Sequence, residues 1–215
     1  MPNFSGLESD EIKLVAFDLG GVLAYRDLSV LSAYEQNFLL FYQKYMGIKE
    51  VNPKDKEFLE YARSKMEDIT RKIYKLNSET LDVLKMLYHI GFDISLWTNN
   101  TPYLNSSLEQ VGILRYISLE NVINSYYLGY DKPNKCFYLK AIELLHIRAS
   151  QVLFVDDNRD NLISAKNCGI QVLEYNMSMS LKDSLSCVFE RIRQRKMKDL
   201  IWNGGLRNEY FIIYQ

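Results

Sequence analysis

The sequence predicts an α/β fold: a Rossmann-like doubly wound parallel sheet with a small helical cap inserted after the first strand. Three observations lead there. Apolar runs of strand length recur at 12–18 ("IKLVAFD"), 92–98 ("FDISLWT"), 151–157 ("QVLFVDD") and 170–175 ("IQVLEY"). They lack the alternation of a half-exposed strand, as expected when both faces of a sheet are covered. Helical patterns near 78–90, 134–146 and 159–168 separate them, the last closing at Gly169, and this alternation of strand and helix favours a parallel sheet.

Residues 25–75 interrupt the alternation with two long helical patterns and no strand. In the second, Phe58, Leu59, Ala62, Met66, Ile69, Ile73 and Leu76 recur at helical spacing, with Lys56, Glu57, Arg63, Lys65 and Glu67 on other faces. The expected organisation is a core of residues 1–24 and 76–215, with 177–215 as a C-terminal helix and tail, and a helical cap of 25–75 standing over the strand ends. In the tail, Leu181, Leu185, Val188, Phe189 and Ile192 form an apolar stripe. The basic run "RIRQRKMK" and the apolar "EYFIIYQ" follow. An apolar terminus of this kind is expected to be buried within the chain or in a dimer, so the chain is read as a monomer or homodimer.

Composition narrows the class. Over 215 residues, 47% are apolar and 25% charged, with a formal net charge of −1. This is ordinary globular composition, and nothing in the total points to nucleic acid or an anionic membrane as partner. Cys136, Cys168 and Cys187 suit neither a disulfide framework nor a zinc site. The N-terminus carries acids without an apolar core, and no stretch of ~20 apolar residues is present to span a membrane. The reading is a cytoplasmic protein.

Chemistry-bearing residues fall at the carboxyl ends of the predicted strands, where open α/β sheets bind ligands. Asp18 ends the first, Thr98 and Asn99 the second, and Asp156 and Asp157 the third; Lys132 lies in "GYDKPNKCFY". Adjacent carboxylates at the end of an apolar strand repel each other unless a cation or base holds them.

In this order the motifs resemble the haloacid dehalogenase superfamily of hydrolases: nucleophilic Asp, then Ser or Thr, then Lys, then an acidic cluster. The likeness spans residues 12 to about 173. "FDLGGVL", "KP" with Tyr138 following, and "FVDDNRDN" are most similar to the subgroup containing bacterial α-D-glucose-1-phosphatase. Response-regulator receivers also use Asp, Thr and Lys, but their acidic pair comes first.

The resemblance implies a Mg²⁺-dependent phosphohydrolase acting on a small phosphorylated metabolite, such as a sugar phosphate, through an aspartyl-phosphate at Asp18. Asp18, the Gly20 carbonyl and Asp157 would hold Mg²⁺, with Asp156 as an outer or additional ligand. Lys132 would neutralise nucleophile and phosphoryl, its partner being the phosphoryl group rather than a structural carboxylate. The Thr98 hydroxyl and Asn99 amide would donate to phosphate oxygens, and Asn161 would hold a metal-bound water. Gly20 and Gly21 would let the backbone approach phosphate and metal.

Most phosphatases of the superfamily carry a second Asp two residues after the nucleophile, as general acid/base; here that position is Gly20. Asp27, Glu35, Glu57, Glu60 and Glu67 are candidate substitutes. His89 and His146 are expected to close helices. The alternative reading is a catalytically idle member of the fold with a binding or regulatory role.

Overall fold

The computed structural model describes residues 12–45, 56–186 and 188–190. Its centre is a five-stranded parallel sheet in the order β5-β4-β1-β6-β7, made by β1 (Leu14–Phe17), β4 (Asp93–Thr98), β5 (Val122–Asn124), β6 (Val152–Asp156) and β7 (Gln171–Glu174). β1 is central because every residue in it is buried, and it pairs with β4 on one side and β6 on the other. The chain turns to opposite sides of β1, so the strand ends diverge there and open a crevice. The predicted parallel α/β architecture is borne out.

Helices cover both faces. One apolar layer joins Val15, Phe17, Leu96 and Val155 to helix α3 (Thr80–His89) and α4 (Leu104–Gln110). The other groups Trp97, Phe137, Tyr138 and Phe154 beneath α6 (Lys135–Leu144) and α7 (Arg159–Asn167). In this second layer the Trp97 and Phe154 ring centroids are 5.2 Å apart. A short helix, α5 (Ser125–Leu128), follows β5 directly.

The segment after β1 contains α1 (Ala33–Tyr45) and α2 (Lys56–Ile73), flanked by strands the sequence did not announce: β2 (Ala24–Arg26) and β3 (Tyr74–Leu76), paired antiparallel. The helical periodicity had carried Leu76 into α2; it lies instead on β3, opposite Ala24. Three residues of strand are too few to show a period, and the ribbon is fixed by a partner 48 positions away. α1 and α2 are joined through Glu35, which is buried and accepts from Lys72 Nζ at 2.6 Å, Lys65 Nζ at 3.3 Å and Ser32 N at 2.9 Å. The Lys72 bond first, then the Ser32 bonds, hold the Glu35 carboxyl down at about 2. Phe38, Met66 and Ile69 belong to the same apolar cluster as the sheet, and Tyr42 donates to Tyr103 across the junction at 2.8 Å.

Beyond β7, residues 181–186 are helical. Their free N–H groups are capped by a distant acid: Glu79 accepts from Leu181 N at 2.6 Å and Lys182 N at 3.2 Å. Leu181, Leu185 and Val188 are buried in the main core, and Phe189 meets Phe92 at 4.9 Å between centroids. Cys187, Ile192, the basic run and the apolar terminus lie outside the described residues. Among the described residues, no helix is long and apolar enough to cross a membrane.

Candidate active site

The carboxyl ends of β1, β4 and β6 converge with the loop before α6, and a cavity of about 270 Å³ opens there. Asp18, Gly20, Gly21, Thr98, Asn99, Lys132 and Asn161 line it from the sheet side, and Tyr25, Arg26, Tyr74 and Asn100 complete the wall.

Lys132 is the hub. Its ammonium lies 2.9 Å from Asp18 Oδ1 and 2.8 Å from Asp156 Oδ2, with only 1% of the side chain exposed. The sequence-based expectation that Lys132 lacks a structural carboxylate partner is corrected here: Asp156, fully buried, is that partner. Asn99 fixes the Lys132 backbone from both sides, accepting from its N–H at 2.8 Å and donating to its carbonyl at 2.9 Å. The Asn99 side chain is thus engaged in holding Lys132, while the Thr98 hydroxyl, buried at the end of β4, lines the cavity.

Asp156 also accepts from Asn158 N at 2.8 Å and from Asn161 Nδ2 at 3.0 and 3.2 Å. Asn161 is in turn positioned by Tyr138, whose hydroxyl donates to its carbonyl at 2.9 Å. Asn161, the residue expected to hold a metal-bound water, thus has its amide nitrogen committed to Asp156. Asp157, next along the chain, is exposed.

One oxygen from each of Asp18, Asp156 and Asp157 lies within 4.8 Å of the others. Burial is the largest influence on Asp18; Lys132 opposes it, Asp156 reinforces it, and the carboxyl is pushed up to about 6. Partial loss of hydration and then the Asp156 charge likewise push Asp157, exposed as it is, above the usual carboxylate range. Two acids whose ionised forms are disfavoured, with oxygens converging on one point, make a donor set suited to a hard divalent cation.

The paired glycines play different parts. Gly21 has φ +78°, and a Cβ there would overlap Asp157 Oδ2, so only glycine permits both this turn and the approach of Asp157. Gly20 is outside the left-handed region, and a Cβ built on it meets nothing within 4 Å. We expect Gly21→Ala to displace Asp157, weaken Mg²⁺ binding by calorimetry and cost ~1–2 kcal/mol in denaturant unfolding from backbone strain. Wild-type values for both would contradict this geometry.

None of the described substitute acids reaches the cavity wall: Asp27, Glu35, Glu60 and Glu67 are absent from it. Asp27 instead accepts from Ser29 N at 3.1 Å, and Glu35 is held by the lysines of α2. The Glu57 side chain lies outside what the structure describes. His89 sits in the last turn of α3, and His146 has φ 50° just beyond α6, neither on the wall. Sequence reasoning missed Arg26 and Tyr74, which meet because β2 pairs with β3, and Asn100, which reaches the Tyr74 hydroxyl from the loop after β4.

The family model for haloacid dehalogenase-like hydrolases matches residues 15–174. The chain belongs to this family. Among curated relatives, the phosphoglycolate phosphatase of Vibrio vulnificus strain YJ016 is 26% identical over 191 residues, covering 76% of this chain and 83% of that protein. The phosphoglycolate phosphatase of Neisseria gonorrhoeae is 30% identical over 113 residues, covering 52% and 45%. A family enzyme of Bacteroides thetaiotaomicron, crystallised with magnesium and inorganic phosphate, superposes with TM-score 0.58 at 18% identity, over 79% of this chain and 97% of that one. A phosphatase of the same family from Thermococcus onnurineus gives 0.54 at 18% identity, over 77% and 86%. Both structures share the fold.

Proposed function

We propose that this chain is a Mg²⁺-dependent phosphatase of small phosphorylated metabolites that works through an aspartyl-phosphate at Asp18. The observation that carries the reading is Asp18 at the open end of the central strand, with Lys132 Nζ 2.9 Å from one carboxylate oxygen and Asp157 converging on the same point.

In this mechanism an Asp18 oxygen attacks phosphorus, the P–O bond to the leaving group breaks, and water later cleaves the acyl phosphate. Asp18, the Gly20 carbonyl and Asp157 would hold Mg²⁺, which supplies charge neutralisation to an anionic nucleophile and an anionic substrate. Lys132 stabilises the developing charge, and the Thr98 hydroxyl, the Asn99 main chain and the Gly20–Gly21 loop contact phosphate oxygens. Asp156, with both oxygens engaged by Lys132, Asn161 and Asn158, keeps the ammonium aimed at Asp18. Residues 25–75 act as the cap over a core of 1–24 and 76–215. The scattered cysteines support a cytoplasmic setting.

Gly20 bears on the substrate. With no carboxylate there and none of the described substitutes on the wall, the leaving oxygen departs without full protonation. Aryl, acyl and anomeric sugar phosphates are then preferred to simple primary-alcohol esters. This fits the motif likeness to the glucose-1-phosphatase subgroup. The relatives named phosphoglycolate phosphatases act on a primary-alcohol ester, so a panel including both classes is the direct test. Because the space at Gly20 is open, Gly20→Asp should raise turnover of primary-alcohol phosphates by up to ~10²-fold and of aryl phosphates less. Equal turnover of both classes by the wild type, with chemistry rate-limiting, would show that another group acts as the acid. The same absence favours a second reading, a catalytically idle binding protein, which predicts no turnover of any ester in the panel.

A further inference from the structure

The cavity that holds Asp18 also carries, on its wall, a cation that the mechanism leaves unused. Arg26, on β2, stands in register with Tyr74 on β3. Its Nε donates to the Tyr74 hydroxyl at 3.2 Å, and its guanidinium carbon lies 5.6 Å from the centre of the Tyr74 ring. Tyr74 is 4% exposed and accepts a second bond, from Asn100 Nδ2, at 2.7 Å. The phenol is held between core and ribbon, and it fixes the guanidinium in turn.

Among the described residues, no carboxylate lies within ion-pair distance of Arg26. A guanidinium carries five N–H donors in a rigid fork. With Nε tied to Tyr74, the terminal nitrogens remain for a ligand, in the arrangement that takes a carboxylate or phosphate with two parallel hydrogen bonds. The cavity therefore has two cationic poles. Lys132, on the sheet side, already holds Asp18 and Asp156; Arg26 belongs to the two-stranded ribbon. Both poles line one cavity of about 270 Å³, a space below the usual range for drug-sized ligands and suited to a small ester.

We infer that Arg26, positioned by Tyr74 and Asn100, binds a second anionic group on the substrate, a carboxylate or phosphate on the leaving-group side. The substrate class is then a small phosphate ester carrying two anionic ends. The inference rests on Asp18 and Lys132 marking the phosphoryl end.

The test is calorimetry on the full chain with Mg²⁺ present, using three non-hydrolysable probes: propylphosphonate, 3-phosphonopropionate and ethane-1,2-bisphosphonate. The wild type should bind at least one doubly anionic probe ~10-fold or more tightly than propylphosphonate, the scale of a charge-assisted hydrogen-bonded pair. Whichever probe is favoured identifies the second group. In Arg26→Gln that preference should fall below ~3-fold, and Arg26→Lys, which keeps charge but loses the Nε bond, should retain part of it. No preference in the wild type, a preference unchanged in Arg26→Gln, or no binding of any probe overturns the inference. The phosphatase reading is judged separately, by whether the wild type hydrolyses p-nitrophenyl phosphate and Asp18→Asn does not.

Discussion

Lys132→Ala should lose ~10²- to 10³-fold in turnover, the scale for removal of one preorganised electrostatic stabiliser, and should also lose stability. The second effect follows from the structure. The ammonium is 2.8 Å from Asp156, a carboxylate with no exposure, and removing one partner of a buried pair costs ~3–5 kcal/mol because the other charge stays buried. Asn161 and the Asn158 N–H still contact Asp156 in the mutant, which places the expected loss at the lower end. Steady-state kinetics and denaturant unfolding on the same preparation separate the effects. A large stability loss with turnover reduced less than ~10-fold would reduce Lys132 to a structural role.

Asp157→Asn should bring turnover to background and weaken Mg²⁺ binding, since it removes a charged oxygen ligand from a site that must also accept an anionic substrate. Its stability should move the other way. Partial loss of hydration and the Asp156 charge push the exposed Asp157 above the usual range, so a small gain is expected as the neutral amide relieves the repulsion from Asp156. The same linkage gives a pH dependence. Asp18 rises from 3.8 to about 6 on folding, so between those values the native state binds more protons than the unfolded chain. Its contribution to metal-free stability is present below 3.8 and declines as pH rises through about 6. Asp18→Asn should remove that decline, and saturating Mg²⁺ should mask it. Retained activity and Mg²⁺ affinity in Asp157→Asn would remove the metal assignment.

The parallel sheet was legible because its strands are buried on both faces and read as unbroken apolar runs, "LVAF" and "VLFVD" among them. β5 was not: "VIN" is three residues long, and Asn124 in it is the cap of the next helix. The carboxylates, Thr98 and Lys132 stood out as candidates because the carboxylates and Thr98 fall at the ends of β1, β4 and β6 and Lys132 in the loop before α6. Their division of labour was hidden. That Asp156 anchors Lys132 while Asp157 is exposed depends on which side of the last strand residue each carboxylate leaves from, and adjacent identical residues give no sign of it. The glycine pair posed the same difficulty, since the neighbour that forbids a side chain at Gly21 is Asp157, far along the chain. Arg26 and Tyr74 were beyond reach for a related reason: neither lies in a motif, and their meeting is set by a three-residue ribbon.

The central claim is that Asp18 becomes phosphorylated, and trapping that intermediate tests it most directly. The chain is mixed with Mg²⁺ and a phosphate ester radiolabelled in the phosphoryl group, quenched in acid within the first turnover, and the label is mapped by proteolysis. The account predicts an acid-stable, hydroxylamine-sensitive adduct on the peptide containing Asp18, absent in Asp18→Asn. Hydrolysis of the ester with no label on the protein, or with equal label in Asp18→Asn, would contradict it.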